Sequence, residues 1–124
     1  MTHPTLVIAD DEEAICFALA RAARRLGLDP LVVADGRRAI ALAAAAESLV
    51  AAVLDVRMPG LGGVEAGLAI RAARPTLPVA LMTAFADLPP AGPFAPDRLF
   101  RKPFDLGAFA DWLAALRPAP AGAA

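Results

Sequence analysis

Short apolar runs alternate with longer stretches of helical periodicity along this chain, and that alternation restricts the fold more than any other feature. A continuous apolar run of a few residues, bounded by turn signals, reads as a strand buried on both faces. Residues 5–9, 31–34, 49–54 and 78–82 are such runs, and 98–101 reads as a short fifth strand. Helical patterns fill the gaps. The first spans 12–26, with Ile15, Leu19, Ala22, Ala23 and Leu26 on one face and Gly27 closing it. An Ala-rich helix follows at 36–47, then one over roughly 64–73, and finally 105–116 with Phe109, Trp112, Leu113 and Leu116 at helical spacing. Such alternation demands a parallel sheet with helices on both faces, a doubly wound α/β domain.

The 124 residues suit one domain, placed at 1–117, with the Pro/Ala/Gly-rich stretch 118–124 as a flexible C-terminal tail. One segment breaks the pattern. Between the fourth and fifth strands, 86–97 carries Pro89, Pro90, Pro93 and Pro96 where a helix should stand. Each interior proline costs a helix roughly 3 kcal/mol and disfavours helix at the residue before it. An irregular or at most one-turn segment is expected there.

In open parallel sheets, ligands bind beyond the carboxyl ends of the strands. The first strand ends in Asp10-Asp11-Glu12-Glu13, the third in Asp55, the fourth in Thr83 and the fifth in Arg101-Lys102-Pro103. Acids, a hydroxyl and an amine therefore share one mouth. Carboxylates a few ångströms apart repel, more so when desolvated, and need a positive partner. Asp10, Asp11 and Asp55 are hard oxygen ligands of the kind Mg²⁺ takes, with room left for waters and phosphate oxygens. Lys102 supplies a compact ammonium and Thr83 a short donor. The set amounts to an Asp nucleophile with electrostatic support for a phosphoryl group in transfer. Glu12 and Glu13 read as carboxylates favoured at a helix N-terminus.

Composition narrows the alternatives. Hydrophobic content is 58%, but arginines such as Arg21, Arg24, Arg25, Arg37 and Arg38 interrupt every stretch before it reaches the length of a membrane helix. The start, Met-Thr-His-Pro, has no signal-peptide character, so a cytoplasmic protein is expected. Net charge is −1 without a basic run, which gives no footprint for nucleic acid. The one histidine, His3, lies in the N-terminal tail, so a histidine triad is not expected. The one cysteine, Cys16, falls in a helical apolar pattern and is read as a buried structural thiol. No Gly-rich dinucleotide loop follows the first strand.

From about residue 5 to 116, the chain resembles a response-regulator receiver domain of bacterial two-component signalling, a CheY-like superfamily. The residues that carry the likeness are Asp10-Asp11-Glu12-Glu13, the loop Asp55-Val-Arg-Met58-Pro59-Gly60, Thr83-Ala84, and Lys102-Pro103-Phe104. The resemblance implies a flavodoxin-like five-stranded sheet of order 2-1-3-4-5, here with the fourth helix missing or irregular. It implies that Asp55 accepts a phosphoryl group from a histidine kinase or histidine phosphotransfer protein, then switches the surface toward a downstream protein target. Mg²⁺ would be held by Asp11, Asp55 and the main-chain carbonyl of Arg57, with Asp10 acting mostly through water. Lys102 would pair with Asp55 and then with the phosphoryl oxygens, and Thr83 would turn inward to them. The Lys102–Pro103 peptide is expected to be cis. The chain would promote its own phosphorylation and dephosphorylation rather than act as a conventional enzyme.

Some positions depart from the family pattern. The aromatic usually found three residues before the lysine is replaced by Leu99, with Phe100 beside it, so the switch group is read as Thr83, Leu99 and Phe100. Arg57, Ala84 and Phe85 flank the phosphoryl position and would modulate its lifetime; a bulky ring and a cation there imply slow self-dephosphorylation. Two other functions compete. An Asp-nucleophile phosphatase would want a second acid where Arg57 stands. A degenerate receiver, binding partners without phosphorylation, would not need the full functional set that is present.

Overall fold

The computed structural model describes residues 3–84 and 94–116. Five parallel strands form one sheet in the order β2-β1-β3-β4-β5. In chain order the elements are β1 (Thr5–Ala9), α1 (Glu13–Arg25), β2 (Asp29–Val33), α2 (Gly36–Ala45), β3 (Leu49–Asp55), α3 (Gly63–Ala73), β4 (Val79–Thr83), β5 (Arg98–Arg101) and α4 (Leu106–Leu116). Both the doubly wound class and the strand order agree with the sequence reading.

Apolar side chains alternate between two cores, one on each face of the sheet. Leu6, Ile8, Val53, Met82 and Phe100 point to one face and are covered by α1 and α4 through Leu19, Ala23, Phe109 and Leu113. Val7, Leu54, Val79 and Leu81 point to the other and meet α2 and α3 through Ala39, Ala43, Ala66 and Ile70. The central strands are therefore buried on both sides, which is why they read as unbroken apolar runs.

Local chemistry sets the helix ends. Helix α1 closes on paired bonds, Gly27 N–H to the Arg24 carbonyl and Leu28 N–H to the Ala23 carbonyl, both 3.0 Å. The Asp35 carboxylate caps α2 by accepting from Arg38 N–H at 2.8 Å, and Asp105 caps α4 by accepting from Ala108 N–H at 3.0 Å.

Strand β2 corrects a sequence boundary. It begins at Asp29-Pro30 and stops before Ala34, rather than spanning 31–34. Proline is tolerated because β2 is an edge strand paired only to β1, and Asp29 N–H is satisfied by the Pro4 carbonyl at 2.8 Å.

Of the proline-rich stretch 86–97, residues 86–93 lie outside the described residues, as does the expected tail at 118–124. Residues 94–97 contain no helix. They are clamped onto α3 instead. The Phe94 ring is buried over Gly67, where an added Cβ would meet ring carbon at 2.8 Å. The Arg71 guanidinium lies 4.6 Å from that ring's centroid and also bonds the Ala95 carbonyl and the Asp97 carboxylate. Asp97 in turn accepts from Val79 N–H at 2.8 Å, tying the clamp to the start of β4.

Candidate functional site

Asp10 follows β1, Asp55 ends β3, Thr83 ends β4 and Lys102 follows β5, so sheet order brings together groups that are distant in sequence. Asp10 is buried and its backbone is fixed from two sides. Its N–H donates to the Val33 carbonyl at 3.1 Å, and its carbonyl accepts the Cys16 thiol at 3.2 Å. Cys16 itself is buried, and burial pushes its thiol up to about 11, so it is an unreactive donor within the core. The Asp10 side chain then accepts Glu12 N–H through Oδ1 at 2.9 Å, which tightens the turn into α1.

Asp55 is held against the start of α3. A Cβ on Gly63 would lie 2.2 Å from the Asp55 carbonyl oxygen, so this approach of helix to strand end requires glycine. Val56 N–H reaches back to the Met82 carbonyl at 2.8 Å, locking the loop beside β4.

Lys102 is the hub. Its Nζ lies 3.0 Å from Asp10 Oδ2, 3.2 Å from Glu12 Oε1 and 3.3 Å from Asp55 Oδ2. The Lys102 main-chain N–H donates to the Thr83 carbonyl at 2.8 Å, and the Lys102–Pro103 peptide is cis, as the resemblance implied. One ammonium cannot balance the carboxylates around it. Burial raises the Asp55 carboxyl to about 6, and the nearby Asp10 charge adds to that; Lys102 and the Arg57 backbone N–H only partly oppose it. Burial alone would lower the lysine, but its bonds and charge contacts with Asp10, Asp55 and Glu12 outweigh that and hold it above its ordinary value.

The donor set fits a small hard cation. One carboxylate oxygen each from Asp10, Asp11 and Asp55 lies within 4.8 Å of the others. Ligands bound at 2.0–2.1 Å to one ion sit at most about 4.2 Å apart, so the trio needs only a modest closing to share an ion, and exposed Asp11 has room to turn. Asp10 Oδ2 is buried, and the partner facing it is the Lys102 ammonium at 3.0 Å, which uses one of its lone pairs. A buried oxygen with spare acceptor capacity is what a cation site offers.

The remaining expected residues fall as follows. Thr83 is fully buried, and its hydroxyl donates to the Ala84 carbonyl at 3.1 Å. Arg57 is exposed, with its main-chain N–H bonded to Asp55. Ala84 is exposed, and Phe85 lies outside the described residues. Leu99 pairs with Leu81 and packs in the α2/α3 core, the face that Thr83 shares by alternation. Phe100 points to the opposite face, where it stacks on Phe104 at 5.3 Å and meets Phe109 and Trp112 edge-on at 5.8 Å.

Glu12 is the site residue that sequence reasoning missed. It reads as a helix-terminal charge, and only the fold reveals a lysine ninety positions away at its carboxylate.

This architecture has many relatives among solved structures. Residues 6–107 match the response regulator receiver domain family, and the chain belongs to that family. It is 33% identical to the DNA-binding transcriptional regulator NtrC of Salmonella typhimurium, over 80% of this chain and 22% of that protein. It is 35% identical to the transcriptional regulatory protein PrrA of Mycobacterium tuberculosis, over 68% of this chain and 36% of that protein. The chain thus spans about a fifth to about a third of these curated relatives. Among solved structures, the signal receiver domain of an HD domain-containing protein from Pseudomonas fluorescens superposes with a TM-score of 0.82 at 20% identity, covering 93% of this chain and 94% of that one. The receiver domain of the Francisella response regulator 1452 gives 0.77 at 24% identity, covering 91% and 95%. Among the described residues, no helix is long and apolar enough to cross a membrane.

Proposed function

We propose that this receiver domain is a Mg²⁺-dependent phosphoacceptor in which Asp55 takes a phosphoryl group from a histidine kinase or histidine phosphotransfer protein. The observation that carries the reading is the convergence of Asp10, Asp11 and Asp55 around one cluster, with the Lys102 ammonium 3.3 Å from Asp55 Oδ2.

In this reading, Asp11, Asp55 and the Arg57 main-chain carbonyl would hold the metal, and Asp10 would act mostly through bound water. When bound, Mg²⁺ neutralises the carboxylates and shields the charge on the phosphoryl oxygens. The chain's own residues do the rest. An Asp55 oxygen attacks phosphorus in line, the phosphorus–nitrogen bond to the donor imidazole breaks, and the nitrogen leaves with the bonding pair. The product is an acyl phosphate on Asp55. Lys102 moves from the carboxylate to a phosphoryl oxygen, and Thr83 gives up the Ala84 carbonyl to donate to another.

The phosphoryl group adds roughly −1.5 to −2 charges. The regrouping of Thr83 and Lys102 then biases the packing of β4 and β5, with Leu99 on the Thr83 side, and a downstream protein target reads that surface. The chain acts as a switch that promotes its own phosphorylation and dephosphorylation, not as an enzyme with a separate substrate. Arg57 shields the phosphoryl group and slows its loss, so Arg57→Ala is expected to shorten the lifetime of the phosphorylated form.

Intact-mass measurement after incubation with phosphoramidate and Mg²⁺ tests the central claim. The wild type should gain the mass of one phosphoryl group, and Asp55→Asn or omission of metal should abolish the gain. A gain that survives Asp55→Asn would move the acceptor elsewhere.

A further inference from the structure

Glu12 occupies the N-cap position of α1, yet its side chain makes no capping bond. The side chains that cap well there are the short ones of Asp, Asn, Ser and Thr, and the longer Glu12 does not serve as one. Glu12 instead spans the mouth to Lys102 at 3.2 Å, with its backbone N–H fixed on Asp10 Oδ1 at 2.9 Å. The lysine it reaches is largely enclosed, its side chain 14% exposed. The Glu12 side chain is 61% exposed, so solvent screens its end of the pair, while the enclosed ammonium has little water to fall back on.

Three carboxylates hold this ammonium: Asp10, Glu12 and Asp55. Two of them, Asp10 and Asp55, also belong to the cluster that fits a cation; Glu12 does not. Once Asp10 and Asp55 share their charge with a metal, they attract the ammonium less and the metal repels it. Glu12 is then the one partner in the set whose charge is uncommitted.

We infer that Glu12 is a positioning residue for Lys102, keeping its ammonium beside Asp55 when the metal site is filled. The inference rests on the phosphoacceptor reading for its consequence and on the ion-pair geometry for its structure. Without Glu12, Lys102 leaves the mouth more often and the phosphoryl oxygens lose their nearest side-chain cation.

The test combines a double-mutant cycle with a rate. Urea unfolding is measured in saturating Mg²⁺ for wild type, Glu12→Gln, Lys102→Gln and the double variant, and phosphorylation by phosphoramidate is followed for wild type, Glu12→Gln and Glu12→Asp. The expected cycle is non-additive, with a coupling equivalent to roughly a three- to tenfold change in the folding equilibrium. Glu12→Gln should slow phosphorylation roughly two- to fivefold, the range of a solvent-screened ion pair, and Glu12→Asp should recover part of the rate. An additive cycle, or an unchanged rate in Glu12→Gln, overturns the inference. If the wild type itself gains no phosphoryl mass, the phosphoacceptor reading fails, and the cycle alone decides whether Glu12 holds Lys102.

Discussion

Asp55 carries a conflict that a bound cation would relieve, and the conflict has a measurable signature. Its carboxyl is raised from 3.8 to about 6 by burial first and by Asp10 second. A folded state that binds the proton more tightly than the unfolded chain loses stability as pH rises through that window. The loss begins near the unfolded value and is complete above about 6, where it amounts to roughly 3 kcal/mol. Asp55→Asn removes the charge while keeping the shape. In EDTA at pH 7.5 the variant should therefore be more stable than wild type by on the order of 2 kcal/mol in urea unfolding, part of the gain being offset by the lost contact with Lys102. At pH 4 the two should converge, because the wild-type carboxyl is then largely protonated in the folded state. A variant less stable than wild type at pH 7.5 would contradict the assigned conflict. Asp10, Asp11, Asp55, Thr83 and Lys102 were legible as candidates because each stands at or just past the end of an expected strand, and a parallel sheet aims such positions at one edge. Glu12 was not, since its role depends on where another strand's lysine arrives. The opposite facing of Leu99 and Phe100 was only half legible: alternation separates them, but the register of β5 against β4 decides which one lies with Thr83.

At the scale of elements, strands and helices were readable wherever hydrophobic periodicity alone determines them, as in β1, β3, β4 and α1. The period failed at β2, where an edge position forgives Pro30 and half-exposed side chains blur the apolar run. It also failed on the return to β5. Four prolines predict no ordinary helix before β5, a reading that for 86–93 lies outside the described residues, but they do not predict that Phe94 lodges in a notch on α3. That notch exists because Gly67 has no side chain. Gly67→Ala is ordinarily favourable in a helix, by about 1 kcal/mol. Here the added Cβ would meet the Phe94 ring at 2.8 Å, so the ring must shift. Net destabilisation of roughly 1–3 kcal/mol is expected in urea unfolding. In a Phe94→Ala background the clash disappears, and Gly67→Ala should become neutral or stabilising. Equal effects in both backgrounds would show that Phe94 does not occupy the notch.

For the molecule as a whole, the two cores are joined by the strands they share, since β1, β3 and β4 contribute alternate residues to both faces. Sequence alternation required a layered sheet but left the strand order to the family resemblance, because periodicity carries no information about which strands are neighbours. That order has an energetic consequence. Asp10 and Asp11 follow β1 and Asp55 ends the adjacent β3, so a cation held between them grips the middle of the sheet rather than a peripheral loop. Binding to the folded state alone adds RT ln(1 + [L]/Kd), about 2.7 kcal/mol at a hundredfold excess over Kd. Because the grip falls where both cores meet, this increment should appear as global stabilisation. Mg²⁺ should raise the urea midpoint without changing the slope. In native-state hydrogen exchange it should slow the amides of Val7 and Ile8, whose side chains serve opposite cores, by the same factor. Asp11→Asn should remove most of the effect while leaving the metal-free protein folded, as Asp11 is exposed. Protection confined to the turn around Asp10 and Glu12, with Val7 and Ile8 unchanged, would mean that the cation orders the mouth locally and that the sheet does not transmit its binding.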